Sequence, residues 1–145
     1  MNYYFDTSSL VKIYHRESGT QNALNIYKNT ENKIMISELS SLEFLSAIHR
    51  KYRESEFNHD TLQLLKSKFK EDILSRYEIL TFSSLVMEEA ERLLQVYANQ
   101  YSLKTLDSIQ FAFYMIYCEK EAVFVCSDVK FLNLVKKEGF EVLNL

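Results

Sequence analysis

A chain of 145 residues suffices for one domain, spanning 1–145 and burying roughly two thirds of its unfolded surface without a disulfide or metal staple. Its hydrophobic content of 47%, with ten Tyr and ten Phe, excludes a disordered polymer, and the lack of Pro with only two Gly leaves no linker. A net charge of −3 excludes nucleic-acid binding through bulk positive charge alone, but not a nuclease, because a cation held among carboxylates reverses the local sign.

In chain order, Asn2–Phe5 reads as a short buried strand, and Thr7 or Ser8 is placed to cap a helix carrying Leu10, Val11, Ile13 and Tyr14. Gly19 breaks that helix, and a second one around residues 21–27 leads through a polar turn to a strand at 33–36. Ser37 or Ser40 begins the next helix, whose packed face is marked by Leu42, Leu45 and Ile48. Ser40, Glu43, Ser46, Ala47 and Arg50 form an adjacent stripe that leaves Glu43 accessible. Asp60 is a candidate cap for an amphipathic helix with Leu62, Leu65, Phe69 and Ile73 inward, followed by a strand at 79–82. Ser83 or Ser84 caps a long helix carrying Val86, Ala90, Leu93, Leu94 and Tyr97. Thr105 is the expected cap of the next, with Asp107 in its first turn facing the positive helix end and Ile109, Phe113 and Ile116 toward the core. The run Ala122–Cys126 is continuously apolar, as in a parallel strand covered on both faces. Asp128 follows it, and a last helix ends at Gly139 before a strand at 140–143.

Strands alternating with helices imply an open α/β sandwich with a mostly parallel sheet of about five strands. In such sheets ligands collect beyond the carboxyl ends of the strands, where Asp6 and Asp128 fall. Taken singly, each acid has an ordinary structural role: Asp6 and Asp128 as helix caps, Asp107 as a first-turn acid, Glu43 as an exposed helix residue. Taken together, Asp6, Glu43, Asp107 and Asp128 would make an oxygen-rich site for Mg²⁺ or Mn²⁺, which prefer such ligands to His or Cys. His15, His49 and His59 have no ligand spacing, and Cys118 and Cys126, in apolar surroundings, are expected to be buried free thiols. The N-terminal residues lack a basic segment followed by an apolar core, and no apolar run approaches the ~18 residues of a membrane span, so a cytoplasmic protein without membrane contact is expected.

Four segments, Phe5-Asp6-Thr7-Ser8-Ser9-Leu10-Val11-Lys12, Ser37-Glu38-Leu39-Ser40-Ser41-Leu42-Glu43, Leu103-Lys104-Thr105-Leu106-Asp107-Ser108-Ile109-Gln110 and Val125-Cys126-Ser127-Asp128-Val129-Lys130-Phe131-Leu132, together resemble a PIN domain of the VapC toxin type. The resemblance implies a PIN-like three-layer sandwich and a metal-dependent endoribonuclease with one or two Mg²⁺ or Mn²⁺ ions. It also implies the toxin role of a toxin–antitoxin pair, inhibited by a small cognate antitoxin, with RNA such as tRNA as target and a homodimer as the assembly. It assigns Asp6, Glu43, Asp107 and Asp128 to metal and catalysis, and Thr7 or Ser8 to the polar position beside the first acid. Lys12 and Arg50 are further candidates for substrate contact, Arg50 lying two helical turns from Glu43 on the same stripe. The sequence departs from the resemblance at Gln110, where many relatives have His, and at Cys126, where Thr or Ser is common. Two other readings compete: a non-catalytic PIN-like module that binds RNA or protein, and an aspartate-based phosphoryl transferase, which Asp6-Thr7-Ser8 fits poorly for want of a second Asp.

Overall fold

The computed structural model describes residues 1–118 and 121–145. In chain order the elements are β1 (Asn2–Phe5), α1 (Thr7–Tyr14), α2 (Thr20–Lys28), β2 (Lys33–Ser37), α3 (Glu38–Arg53), α4 (His59–Ser75), β3 (Tyr77–Leu80), α5 (Ser84–Tyr101), α6 (Thr105–Tyr117), β4 (Ala122–Cys126), α7 (Val129–Lys137) and β5 (Val142–Asn144). The strands form one sheet in the order β3-β2-β1-β4-β5, and every pairing is parallel. Alternate strand residues face opposite layers, as a pleated strand requires. Tyr4, Met35, Phe124 and Cys126 pack under α5, α6 and α7, while Phe5, Ile34, Ile36, Val123 and Val125 pack under α1 to α4. The three-layer α/β sandwich expected from the sequence is therefore the fold.

The topology also decides where a site can form. From β1 the chain moves outward to β2 and β3, then returns to place β4 on the other side of β1. Order reverses between β1 and β4, and the carboxyl ends of those two strands open the crevice in which α/β proteins bind ligands. Asp6 closes β1, its backbone N–H donating to the Val125 carbonyl of β4 at 3.0 Å, and Asp128 lies two residues beyond the end of β4.

Several local details differ from the sequence expectation, each for a physical reason. Asp6, not Thr7 or Ser8, caps α1, because its carboxylate reaches the Ser9 N–H. Asn58 caps α4 and Asp60 sits in its first turn; Lys104 holds the cap position of α6 without a side-chain bond, and Thr105 is that helix's first residue. On α3 the stripe turned to the core is Ser40, Phe44 and Ile48, which leaves Leu42 70% exposed and Leu45 at the surface. On α6, Phe111, Ala112, Phe113 and Tyr114 are all buried and Ile116 is exposed, because the helix is enclosed on most of its circumference. The strand expected at 79–82 begins two residues earlier, at Tyr77, which pairs with Ile34, and the last strand begins at Val142.

One buried group had no sequence signal. Asp72 on α4 is only 2% exposed and accepts from the Tyr14 hydroxyl at 2.6 Å, from the Tyr27 hydroxyl at 2.9 Å and from Lys68 Nζ at 2.8 Å. Tyr14 and Tyr77 hydroxyls share a further bond of 2.7 Å, so one carboxylate joins α1, α2, α4 and β3. Asp72→Ala strands these hydroxyls in the interior, each at about 1–3 kcal/mol. Urea unfolding is expected to show a loss of about 3 kcal/mol or more for Asp72→Ala, and less for Asp72→Asn, which keeps an acceptor.

Candidate active site

Asp6 is the most constrained of the acids. Its Oδ1 accepts from the Ser8 hydroxyl at 2.7 Å and the Ser9 N–H at 3.0 Å, and its Oδ2 accepts from the Cys126 thiol at 3.2 Å. Only 9% exposed, it has its pKa pushed up to about 6, chiefly by burial, with the Glu43 carboxylate adding to the shift and those three hydrogen bonds opposing it. Burial likewise raises the Cys126 thiol well above its ordinary value, which keeps it a neutral donor to Asp6.

Glu43 projects from α3 and is half-buried. Its Oε2 accepts from Thr7 Oγ1 and from Gln110 Nε2, both at 2.6 Å. Asp107, in the first turn of α6, is also half-buried; burial raises its pKa, with the Asp128 and Glu43 carboxylates contributing and a backbone bond to Lys104 opposing. Asp128 is exposed and caps α7, its Oδ1 accepting from the N–H groups of Lys130 at 2.8 Å and Phe131 at 3.1 Å. The Glu43 charge thus acts on Asp6, and the charges of Glu43 and Asp128 act on Asp107. Among the described residues, no cationic side chain bonds any of them.

The donor set is all oxygen, which suits a hard divalent cation. Among the described residues, no three His, Cys, Asp or Glu side chains are grouped closely enough to enclose a metal by themselves. A hard cation held by so open a set would keep much of its water, as Mg²⁺ commonly does.

The remaining candidates separate clearly. Thr7 orients Glu43; Ser8 donates to Asp6 and accepts from the Ser127 N–H at 3.1 Å, tying α1 to the loop after β4. Arg50 is exposed and lines a groove of about 620 Å³ that also touches Thr7, Ser8 and Glu43. Lys12 lines that groove too, but its side chain is buried and its Nζ donates to the Leu145 carbonyl at 2.6 Å, so its charge is already committed to the edge of β5.

Gln110 is the participant that sequence reasoning noticed only as a departure. Its Oε1 accepts from the Tyr4 hydroxyl at 2.5 Å and the Ser37 hydroxyl at 3.0 Å, while its Nε2 lies within 2.6 Å of Glu43 Oε2 and 3.1 Å of Thr7 Oγ1 and Ser40 Oγ. The signal available in the sequence was a lone amide within the apolar stretch Ile109-Gln110-Phe111-Ala112-Phe113, three residues after Asp107 and so on the same helical side.

Residues 3–134 match the sequence model of the PIN domain. No curated protein matches the chain. Similar solved structures include VapBC2 from Rickettsia felis bound to a DNA fragment from its promoter, at 22% identity and a TM-score of 0.65, covering 99% of this chain and 98% of that one. A toxin–antitoxin complex from Klebsiella pneumoniae is 19% identical with a TM-score of 0.63, covering 98% and 96% of the two chains. The sarcin–ricin loop cleaving toxin VapC20 from Mycobacterium tuberculosis is 14% identical with a TM-score of 0.71, covering 99% of each. At these identities the likeness is one of fold.

Two predictions follow from the geometry. A carboxyl whose pKa is raised on folding costs nothing while protonated and lowers stability once ionised. For Asp6 the loss sets in as pH rises from about 4 to about 6 and amounts to about 3 kcal/mol at neutral pH. In metal-free protein, Asp6→Asn retains the cap acceptor and removes that loss, so its stability relative to the unsubstituted chain should improve between pH 4 and pH 7 in urea titrations. Gln110→Leu leaves Tyr4, Ser37 and Glu43 without their partner and should cost about 2–4 kcal/mol in the same assay, whereas Gln110→Asn should cost less.

Proposed function

The chain belongs to the PIN-domain family, and on that footing we propose that it is a metal-dependent endoribonuclease, the toxin of a toxin–antitoxin pair. What supports the reading is the position of Asp6 and Asp128 at the carboxyl ends of β1 and β4, where the strand order reverses, with the Glu43 charge acting on Asp6 and Asp107 and, among the described residues, no ion pair to any of the four acids. Burial raises the Asp6 and Asp107 carboxyls, with the Glu43 charge adding to both, and raised carboxyls beside a strand-end crevice are a mark of function.

Asp6, Glu43, Asp107 and Asp128 are the residues that would hold Mg²⁺ or Mn²⁺, as one ion or two. A divalent cation in that place supplies a lowered pKa for water and stabilises charge on the phosphoryl and leaving oxygens. The chain's own contribution is order. Ser8, Ser9 and Cys126 fix both oxygens of Asp6, and Thr7 with Gln110 fixes Glu43. These bonds stand before any ligand arrives, so little reorganisation is left for the reaction. The reaction is hydrolysis: the water oxygen bonds to phosphorus, the bond from phosphorus to the 3′ oxygen breaks, and a proton ends on that oxygen. The products are a 5′-phosphate and a 3′-hydroxyl.

RNA, with tRNA as a candidate target, is the substrate of this reading. A small antitoxin is the inhibitory partner, and a toxin–antitoxin complex of the same fold supports that assignment. A homodimer and a cytoplasmic location complete it; among the described residues no helix is long and apolar enough to cross a membrane. The second reading is a non-catalytic RNA- or protein-binding PIN-like module, and the open spacing of the acids is the observation in its favour.

Purified protein should cleave RNA with Mg²⁺ or Mn²⁺ and lose that activity in EDTA. Asp6→Asn should fall on the order of 100-fold or more in rate while keeping its circular dichroism and a melting temperature no lower than that of the unsubstituted chain. Cleavage that persists in EDTA contradicts the metal requirement. Binding of RNA and divalent ions without turnover across a broad RNA panel selects the non-catalytic reading instead.

A further inference from the structure

The geometry points to a second phosphate-binding place on the chain: a small cavity between the α5–α6 turn and the start of α7, where Lys104 and Lys130 would hold one backbone phosphate of the RNA beside the cleaved bond. The inference rests on the RNA-cleaving reading and adds to it where the strand runs.

The acids divide between two cavities. Glu43 borders the groove of about 620 Å³ along α3, together with Thr7, Ser8 and Ser127. Asp107 and Asp128 border a separate cavity of about 170 Å³, together with Lys104, Lys130 and Tyr101. Asp6 lines neither and lies behind their junction, bonded to Ser8 of the groove and to Cys126 of β4. Leu106 and Ser127 line the groove, and their chain neighbours Asp107 and Asp128 line the small cavity, so the two cavities are adjacent. A strand that follows the groove past Leu106 and Ser127 comes next to the small cavity.

Both cavities carry cations that enter no ion pair among the described residues, the Lys104 ammonium charge acting on Asp107 without a direct bond. Of the basic residues along the α3 groove, Lys12 is committed to Leu145 and Lys51 to Glu17 and Glu56, whereas Arg50 and Arg53 enter no ion pair among the described residues. On the other side Lys104 and Lys130 are exposed and likewise enter none. In a chain of charge −3, cations without ion pairs in two adjacent cavities that also carry the acids suit a polyanion that passes from one to the other.

Size sets what each side accepts. At about 30 Å³ per water, the small cavity holds roughly six waters' worth of volume, enough for a phosphate with part of a ribose; the groove holds about three to four times as much. Base stacking in the small cavity is blocked. Tyr101 is already packed edge-on against Tyr97, with Lys137 Nζ 5.3 Å from its ring centre, and Phe131 is buried in the core. The cavity therefore takes backbone without reading bases, and sequence preference belongs to the α3 side.

The test uses the full chain and a fluorescein-labelled RNA of about a dozen nucleotides. In the Asp6→Asn background, fluorescence anisotropy at stepped KCl concentrations gives affinity and its salt dependence. The double variant Lys104→Ala/Lys130→Ala should bind about tenfold more weakly and lower the slope of log affinity against log salt by about 0.7, the loss of one single-strand phosphate contact. Lys104→Arg/Lys130→Arg should retain the parent slope. With Asp6 restored, the alanine pair should raise KM about tenfold and change kcat far less, as for a contact equally strong before and during reaction. Lys28→Ala/Lys70→Ala removes the same charge from exposed positions outside both cavities and serves as the control. Parent-like affinity and slope in the Lys104/Lys130 alanine pair, or an equal loss in the control, overturns the assignment. Absence of cleavage by the unsubstituted protein in the same buffers overturns the nuclease reading itself, and the two failures are told apart by that measurement.

Discussion

The Gln110 amide joins the carboxyl edge of the sheet to the helices that carry the acids. It takes protons from Tyr4 on β1 and Ser37 at the end of β2, and gives its own toward Glu43 on α3 and the hydroxyls of Thr7 and Ser40. A primary amide has two donor hydrogens and one acceptor oxygen, so the two halves of this network cannot exchange roles without breaking it. Ser37 in turn accepts from the Ser40 N–H and caps α3. The same few atoms thereby decide where α3 begins, how it meets α6 and which way Glu43 points. Because an amide does not titrate, this arrangement keeps its polarity across the pH range in which Asp6 gains and loses its proton.

Asp6 and Asp128 show how closely folding and chemistry are joined at the ends of β1 and β4. Each is the N-cap of the helix that follows its strand, satisfying N–H groups that a helix start leaves unpaired. A cap on its own calls for no more than a serine or asparagine, and an asparagine at Asp6 would avoid the cost of ionising a buried carboxyl. The chain instead keeps a carboxylate, buries it beside Glu43 and gives it only neutral donors. That choice weakens the metal-free fold and leaves a position that positive charge would relieve.

How much of this was legible in the sequence depended on whether the deciding partner was near or far along the chain. The continuous run Ala122–Cys126 was readable because a strand buried on both faces has no polar alternation to confuse it. On α3 the apolar residues Leu42, Phe44, Leu45 and Ile48 allow more than one inward stripe; the sequence reading chose Leu42, Leu45 and Ile48, of which only Ile48 is buried, with Phe44 beside it. Asn58 and Asp60 are both good cap residues, and only the bond from the Thr61 N–H to Asn58 decides between them. Three of the four acids were visible because Asp6 and Asp128 follow strands and Asp107 opens a helix, whereas Glu43 lies within α3 and stood out only through the resemblance. The Gln110 network and the Asp72 cluster were not, because their partners lie 67 residues away in the case of Glu43 and 58 in the case of Tyr14. Hydrogen bonds over such separations are set by topology, which no local pattern encodes.

The departure at Cys126 then takes on a definite meaning. A thiol is a weaker donor than the hydroxyl of Ser or Thr, and here it is the only donor to Asp6 Oδ2 among the described residues. A hydroxyl in its place would stabilise the ionised carboxylate more strongly and draw its pKa back toward the ordinary range. With the thiol, the opposition to burial rests mainly on Ser8 and Ser9 at the other oxygen, and Asp6 stays raised to about 6. The sulfur also accepts from the Asp128 N–H at 3.3 Å, so the same atom positions the loop that carries the other strand-end acid. The thiol thus bonds both strand-end acids while giving Asp6 less electrostatic support than a hydroxyl would.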